Sequence, residues 1–240
     1  MLKKFMKISV LTGMVTLSTL GVGQLSAHAA TSTKPSAPTC STNFSGAQQL
    51  VESELSARTT QLGKLQTRVN RSTALSQDDR SSLISILSNE QNGISALSSK
   101  VSTDTTCQEL KQDAHAMVYD YRVYVVVTPQ TDLTVVADSE SSIESSMTSL
   151  EPVIQSAINQ ELAKGKDLTA VEQAFASYQS EVTSATSLTS NISSTMLAQV
   201  PSGYPQNWQT FLNARTSTET ARTNIHSAYS ELKIIVSGLK

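Results

Sequence analysis

The sequence predicts an all-α protein, an elongated up-and-down antiparallel bundle of about six helices. Apolar residues recur at helical steps of three, four or seven along most of the chain. The stretches that break this period are short, which favours antiparallel neighbours. Only 9 glycines and 5% aromatic residues occur in 240 residues, a composition that suits narrow helix–helix interfaces better than a thick globular core.

The first element is a helical hairpin, predicted over residues 44–104. Each of its two helices carries one apolar stripe and spans about 26 residues, or roughly 39 Å. The stripe residues are Val51, Leu55, Leu62, Leu65 and Val69, then Leu83, Leu87, Ile94, Leu97 and Val101. Ser76, with Asp79 three residues later, is typical of the start of the second helix.

The register of this hairpin follows from its apolar pairs, because facing residues of antiparallel helices have a constant sum of numbers. Val51 with Leu97 gives 148. The polar interruptions Arg58 and Glu90 also give 148, and Cys40 with Cys107 gives 147. The register therefore predicts a polar pair Arg58–Glu90 within the apolar interface and a disulfide Cys40–Cys107. The alternatives are that Arg58 and Glu90 lie at the edge and reach water, and that the cysteines are two unrelated thiols.

Residues 1–29 are typical of a secretory signal peptide. Three lysines precede an apolar stretch, and Ala27-His28-Ala29 predicts cleavage between Ala29 and Ala30. Residues 30–43, rich in Ser, Thr and Pro, are expected to form a flexible leader. We expect a secreted, extracytoplasmic protein with no membrane span after signal removal, and an oxidising compartment favours the disulfide.

The net charge of the chain limits the classes of partner that it is expected to bind. Removal of the three lysines in residues 1–29 takes the formal charge from −2 to −5. A negative chain disfavours nonspecific nucleic-acid binding and attraction to an anionic membrane. The expected partner is a protein or a cell-wall component, and the helical stripes also allow a homo-oligomer.

The middle helices are predicted over residues 105–200. Thr106 with Glu109 forms a capping box for the third helix. The β-branched run before Pro129 allows two interpretations of residues 123–136. One is a β-hairpin. The other, which we prefer, is a helix that runs to about Val127 and kinks at Pro129.

Three further helices complete the prediction. Asp132 is expected to cap the fourth, which ends near Gly165. The fifth is expected from about Leu168 to Met196. Residues 201–205 break the chain, and a C-terminal helix fills most of the region 201–240.

Several segments resemble a group of uncharacterised secreted helical proteins of bacteria. The resemblance rests mainly on Tyr121-Arg122-Val123-Tyr124 followed by Thr128-Pro129-Gln130, with further support from residues 65–70, 75–80, 104–106 and 203–215. It covers most of the chain after the signal peptide. It implies export, a helical fold and a cell-surface or extracellular setting, and it implies no activity, cofactor or catalytic residue.

No catalytic or metal-binding constellation is evident in the sequence, so no cofactor and no enzyme activity are expected. His115 and His226 have no partner at metal-ligand spacing. Glu144 and Glu151 lie seven residues apart on one possible helix face, so a carboxylate pair for glycan hydrolysis is conceivable, but we interpret them as solvated acids on a surface helix.

The best candidate binding residues are Tyr121, Arg122 and Tyr124, which can offer stacking and hydrogen-bond groups to a glycan or peptide. The alternative is that the tyrosines and the neighbouring valines cement the third helix against the fourth and sixth helices, with Arg122 paired to an acid. The favoured function is a noncatalytic scaffold or interaction protein of the bacterial cell envelope. The alternative function is an extracytoplasmic helical bundle that binds a small molecule, peptide or glycan.

Overall fold

The computed structural model describes residues 40–240, and this part of the chain is all-α, as predicted. Because no strand occurs between residues 40 and 240, the β-hairpin interpretation of residues 123–136 is wrong. A π-helical turn, Val123–Val127, leads into the fourth helix, and a 3₁₀ turn, Pro201–Gly203, precedes the last. The helices are α1 Phe44–Arg71, α2 Gln77–Val101, α3 Cys107–Tyr119, α4 Thr128–Leu162, α5 Thr169–Thr189, α6 Ile192–Leu197 and α7 Trp208–Gly238.

The predicted hairpin is formed by α1 and α2. Every residue of both apolar stripes is buried, and together they form one hydrophobic cluster. Ser76 is the N-cap of α2, and its hydroxyl accepts a hydrogen bond from Asp79 N at 3.0 Å. The disulfide Cys40–Cys107 is confirmed, with a Cα–Cα distance of 5.6 Å, and it ties the start of α1 to the start of α3.

Helix α3 begins with the predicted capping box, in which Thr106 and Glu109 bond reciprocally. It ends at Tyr119, so the predicted continuation to about Val127 is wrong. The break occurs at Arg122, whose φ of 43° is left-handed and incompatible with a continuing helix. The π-helical turn then leaves Pro129 in the first turn of α4, where its missing N–H costs nothing.

The first turns of α4 are the most enclosed part of the described chain. Eight of the nine residues from 129 to 137 are buried. Gln130 Nε2 donates to Met196 O and to Gln199 O, both at 2.9 Å, which satisfies carbonyls at the end of α6. Asp132 lies inside α4 and forms an ion pair with Arg68 of α1 at 2.6 Å, so the prediction that it caps the helix is wrong.

The C-terminal half of α4 packs with α5 and α7 around a second hydrophobic cluster. The Tyr178 hydroxyl of α5 donates to Met147 O of α4 at 2.7 Å, and both groups are buried. The connection from α4 to α5 contains Gly165, whose φ of 82° matches the predicted left-handed end. Val171 of α5 contacts Gly238 of α7, so the start of α5 lies beside the end of α7 and the two helices are antiparallel.

Helix α5 ends at Thr189, seven residues before the predicted end at Met196. The chain turns at residues 190–191 and restarts as the short α6. Because of this turn, Ile192 and Met196 do not continue the apolar face of α5. They pack instead in a third cluster with residues of α4 and α7. The cluster comprises Val126, Leu133, Ala137, Ile192, Met196, Phe211 and Ala214.

The predicted signal peptide (1–29), its cleavage site at Ala29–Ala30 and most of the leader (30–43) lie outside the described residues. Within residues 40–240, each helix is too short or too polar to cross a membrane.

Candidate functional site

The candidate site is built on residues 119–124, where α3 stops and the π-helical turn begins. Val123, Val126 and Val127 of this turn are buried, which anchors the segment against the hydrophobic clusters. The same geometry leaves Tyr124 outward, 42% exposed, and Tyr119 at the end of α3 is 49% exposed. Rigid packing on one side therefore presents aromatic side chains to solvent on the other.

Arg122 is held between two tyrosine rings. Its guanidinium carbon lies 5.0 Å from the ring centroid of Tyr119 and 4.7 Å from that of Tyr204. Each contact has the geometry of a cation–π interaction, worth about 0.5–1 kcal/mol at an exposed site. Tyr204 comes from the loop before α7, so Arg122 joins α3 to the C-terminal part of the chain.

The stack continues on both sides of this arginine. The His115 ring lies 4.1 Å from that of Tyr119 with an interplanar angle of 11°, and Trp208 meets Tyr204 edge-on at 6.4 Å. We call these five residues, His115, Tyr119, Arg122, Tyr204 and Trp208, the Arg122 ladder. His115 and Tyr119 are exposed and the other three are half-buried, so the ladder offers a run of planar groups to solvent.

The charge of Arg122 is not neutralised by a carboxylate. Among residues 40–240, the ion pairs involve other cations, and the buried Nε of Arg122 has no hydrogen-bond partner. Arg68 and Arg222, by contrast, are bonded to Asp132 and Glu140. Arg122 is thus positioned by aromatic faces and keeps its terminal N–H groups for another acceptor.

Tyr124 makes a separate contact, with α1. The Arg58 guanidinium carbon lies 5.1 Å from its ring centroid. Arg58 Nη1 also lies 3.0 Å from Glu54 Oε2 and donates to Glu54 O at 2.9 Å. The predicted pair Arg58–Glu90 is wrong, because the i,i+4 carboxylate on its own helix and the Tyr124 ring occupy the guanidinium.

Tyr121 packs against α2 at Gly93. A Cβ built on Gly93 would lie 2.2 Å from Tyr121 Cε1, so the ring rests on the helix backbone where no side chain intervenes. Glu90, one turn away, has a buried Oε2 without a hydrogen-bond partner, and burial raises its pKa to about 7. Burial, followed by the charge of Glu90, also raises the pKa of Tyr121.

The three predicted residues therefore have three different sets of partners. Tyr121 contacts α2 and Tyr124 contacts α1, whereas the cementing interpretation places the tyrosines against the fourth and sixth helices and Arg122 beside an acid. Arg122 lies between the exposed ring of Tyr119 and the half-buried ring of Tyr204. Sequence reasoning missed Tyr204 and Gly93. The signals were present, because Gly93 interrupts an otherwise good helix and Tyr204 lies in a turn that was interpreted only as a break.

The acidic residues considered for glycan hydrolysis have structural partners. Glu144 is buried, contrary to the expectation of a solvated acid, and accepts a hydrogen bond from the Thr189 hydroxyl at 2.8 Å. Glu151 accepts one from Gln179 Nε2 at 2.9 Å. Both contacts hold α4 to α5. In the described part of the chain, no three His, Cys, Asp or Glu side chains are grouped as metal ligands would be.

Comparison with known proteins gives no assignment: no family model matches the chain, and neither a curated protein nor a solved structure matches it significantly.

Proposed function

We propose that this chain is a noncatalytic, exported interaction protein of the bacterial cell envelope, and that it binds a wall polymer through the Arg122 ladder. The observation that carries the proposal is the run of exposed and half-buried planar side chains around an arginine that is paired with no carboxylate of residues 40–240. Aromatic rings stack on the apolar C–H faces of sugar rings, and their polar edges remain free for hydrogen bonds.

The setting at the envelope is supported by two other features. The basic and apolar start of the chain and the Ala27-His28-Ala29 motif favour export. A disulfide that closes a 67-residue separation is typical of proteins in oxidising compartments.

An extended polymer suits the ladder better than an enclosed small molecule does. Tyr119 is about half exposed, and His115 is open to solvent. Ligand-binding pockets for small molecules bury most of the ligand surface, whereas the ladder is a surface on which a chain of sugar rings can lie.

The test is co-sedimentation of the purified exported protein with isolated cell walls. Tyr119→Ala removes an exposed ladder ring at the end of a helix, where alanine is well tolerated. We expect saturable binding by the wild type and at least a fivefold weaker affinity for this variant.

The matched control is Tyr229→Ala. Tyr229 is a surface tyrosine of α7 that stacks with a cation, Lys233, at 4.4 Å, but it lies outside the ladder. This variant should bind walls as the wild type does. Equal binding by wild type and Tyr119→Ala would refute the ladder as the contact surface, and absence of binding by the wild type would refute the proposal as a whole.

A further inference from the structure

The position of Arg122 also specifies the chemistry of the bound polymer. We infer that Arg122 receives a carboxylate of a glycan, so that the ladder recognises an acidic sugar polymer rather than a neutral one. This inference rests on the proposed function and adds the charge of the ligand to it.

The Arg122 guanidinium has no carboxylate acceptor among residues 40–240. Arginine has five N–H donors in a planar fork, and a charged donor without an acceptor is costly when it is partly desolvated. Arg122 Nε is buried and unpaired, and no carboxylate of residues 40–240 forms an ion pair with this side chain. The terminal Nη atoms form no ion pair with residues 40–240 and can donate to an incoming oxyanion.

The Arg122 guanidinium is preorganised for a ligand. The rings of Tyr119 and Tyr204, with centroids 5.0 and 4.7 Å from the guanidinium carbon, hold the fork in place before the ligand arrives. A guanidinium that is already ordered loses less side-chain entropy on binding. The flanking rings also provide the surface on which the sugar that carries the oxyanion can stack.

The charges of the ladder and of the whole chain favour a carboxylate over a polyphosphate as the ligand. The ladder contains one arginine, and Asp120 lies two residues before it in the chain. The chain after residue 29 carries a formal charge of −5, from fifteen basic and twenty acidic residues. A protein of this charge repels a polymer with a phosphate in every repeat more strongly than a glycan with sparse carboxylates, and one carboxylate matches one planar fork in a bidentate geometry.

The test uses three preparations of the same walls: walls stripped of phosphate polymers, stripped walls whose carboxylates have been converted to methyl esters, and intact walls. The variant is Arg122→Gly, since glycine adopts a φ of 43° without strain, and we expect the fold to be retained. Unfolding midpoints of variant and wild type should agree closely, because lost stacking and relieved strain offset each other.

We expect the wild type to bind stripped walls and to lose at least tenfold in affinity when their carboxylates are esterified. Arg122→Gly should bind stripped walls at least tenfold more weakly and should not distinguish native from esterified walls. Arg122→Lys, which keeps the charge but lacks the planar fork, should lie between the two. Lys233→Gln, which removes a cation beside Tyr229 on α7, should leave binding unchanged.

Three results would overturn the inference. Wild-type binding that survives esterification would show a neutral glycan as the ligand. Binding that requires the phosphate polymers would identify a different anion. Arg122→Gly that binds as the wild type does would remove Arg122 from the contact. In the first two cases wall binding persists and the proposed function survives. In the third case wall binding persists without Arg122, and the Tyr119→Ala result decides whether the other ladder residues carry it. Loss of all wild-type binding would instead refute both the inference and the proposed function.

Discussion

Two glycines inside the hairpin helices provide a matched test of how Tyr121 is seated. Around Gly63 of α1, no heavy atom lies within 4 Å of a built Cβ, whereas at Gly93 of α2 the Cβ would lie 2.2 Å from Tyr121 Cε1. Both are interior helical positions. Replacement by alanine therefore gains the same intrinsic helix stability at each, about 1 kcal/mol. The difference between the two variants isolates the contact with Tyr121.

Gly63→Ala is expected to raise the free energy of unfolding by about 1 kcal/mol. Gly93→Ala gains the same amount but forces Tyr121 or the helix to shift, which costs about 1–3 kcal/mol. We therefore expect Gly93→Ala to be less stable than Gly63→Ala by about 1–3 kcal/mol. Urea denaturation of the disulfide-intact protein measures this difference, and thermal midpoints should differ by about 2–4 °C for each kcal/mol.

The Gly93→Ala substitution in a Tyr121→Ala background tests whether the Tyr121 ring is the obstacle. When Tyr121 is replaced by alanine, the obstacle disappears, and Gly93→Ala should then stabilise the protein as Gly63→Ala does. Equal stabilisation by both glycine replacements in the wild-type background would mean that the Tyr121 ring does not rest on Gly93, and the seating of residues 119–124 described above would be wrong.

Three other variants test the fold in the same denaturation assay. Cys40→Ser should lower the free energy of unfolding by about 4 kcal/mol, because the disulfide closes a long loop; an unchanged midpoint would contradict this. Tyr178→Phe removes a buried hydrogen bond to Met147 O and should cost about 1 kcal/mol; a loss below the experimental error would show that water replaces it. Burial outweighs the Arg222 ion pair and raises the pKa of Glu140 from 4.5 to about 7. The folded state therefore keeps a proton that the unfolded state releases, and stability should fall as pH rises from about 4.5 to 7. Glu140→Gln should reduce that fall, measured between pH 5 and 8, and an identical fall would contradict the assignment.

The hairpin could be predicted because its determinants are local and periodic. Its stripes repeat at steps that leave one face apolar, and both cysteines obey the register that the stripes set. The capping groups at Ser76 and Thr106 are equally local, since each hydroxyl bonds a backbone N–H three residues away. Wherever such short-range chemistry decides the structure, the sequence is sufficient.

The break at Arg122 could not be predicted, because nothing in its local sequence favours it. A left-handed conformation is expected of glycine or asparagine and is unfavourable for arginine by about 1–2 kcal/mol. The compensating contacts come from Tyr204, 82 residues later in the chain, and from the clusters that bury Val123, Val126 and Val127. Long-range packing overrides local preference here.

Matching positions on two antiparallel helices do not by themselves decide which side chains pair, as Arg58 shows. Antiparallel geometry placed Arg58 and Glu90 at matching positions, but a long side chain selects among all the groups within its reach. The Arg58 guanidinium pairs with Glu54 on its own helix and contacts the ring of Tyr124. Glu90 forms no ion pair with residues 40–240, and burial raises its pKa to about 7.

The conformation of Arg122 itself argues for a function. A residue in the left-handed region carries a strain that glycine would avoid, and the two cation–π contacts return only about 0.5–1 kcal/mol each at an exposed site. The stability gained by an arginine at this position is therefore small or absent. What arginine adds over glycine is a positive charge between an exposed and a half-buried ring, paired with no carboxylate of residues 40–240. Such a charge is what the ligand that we propose would require.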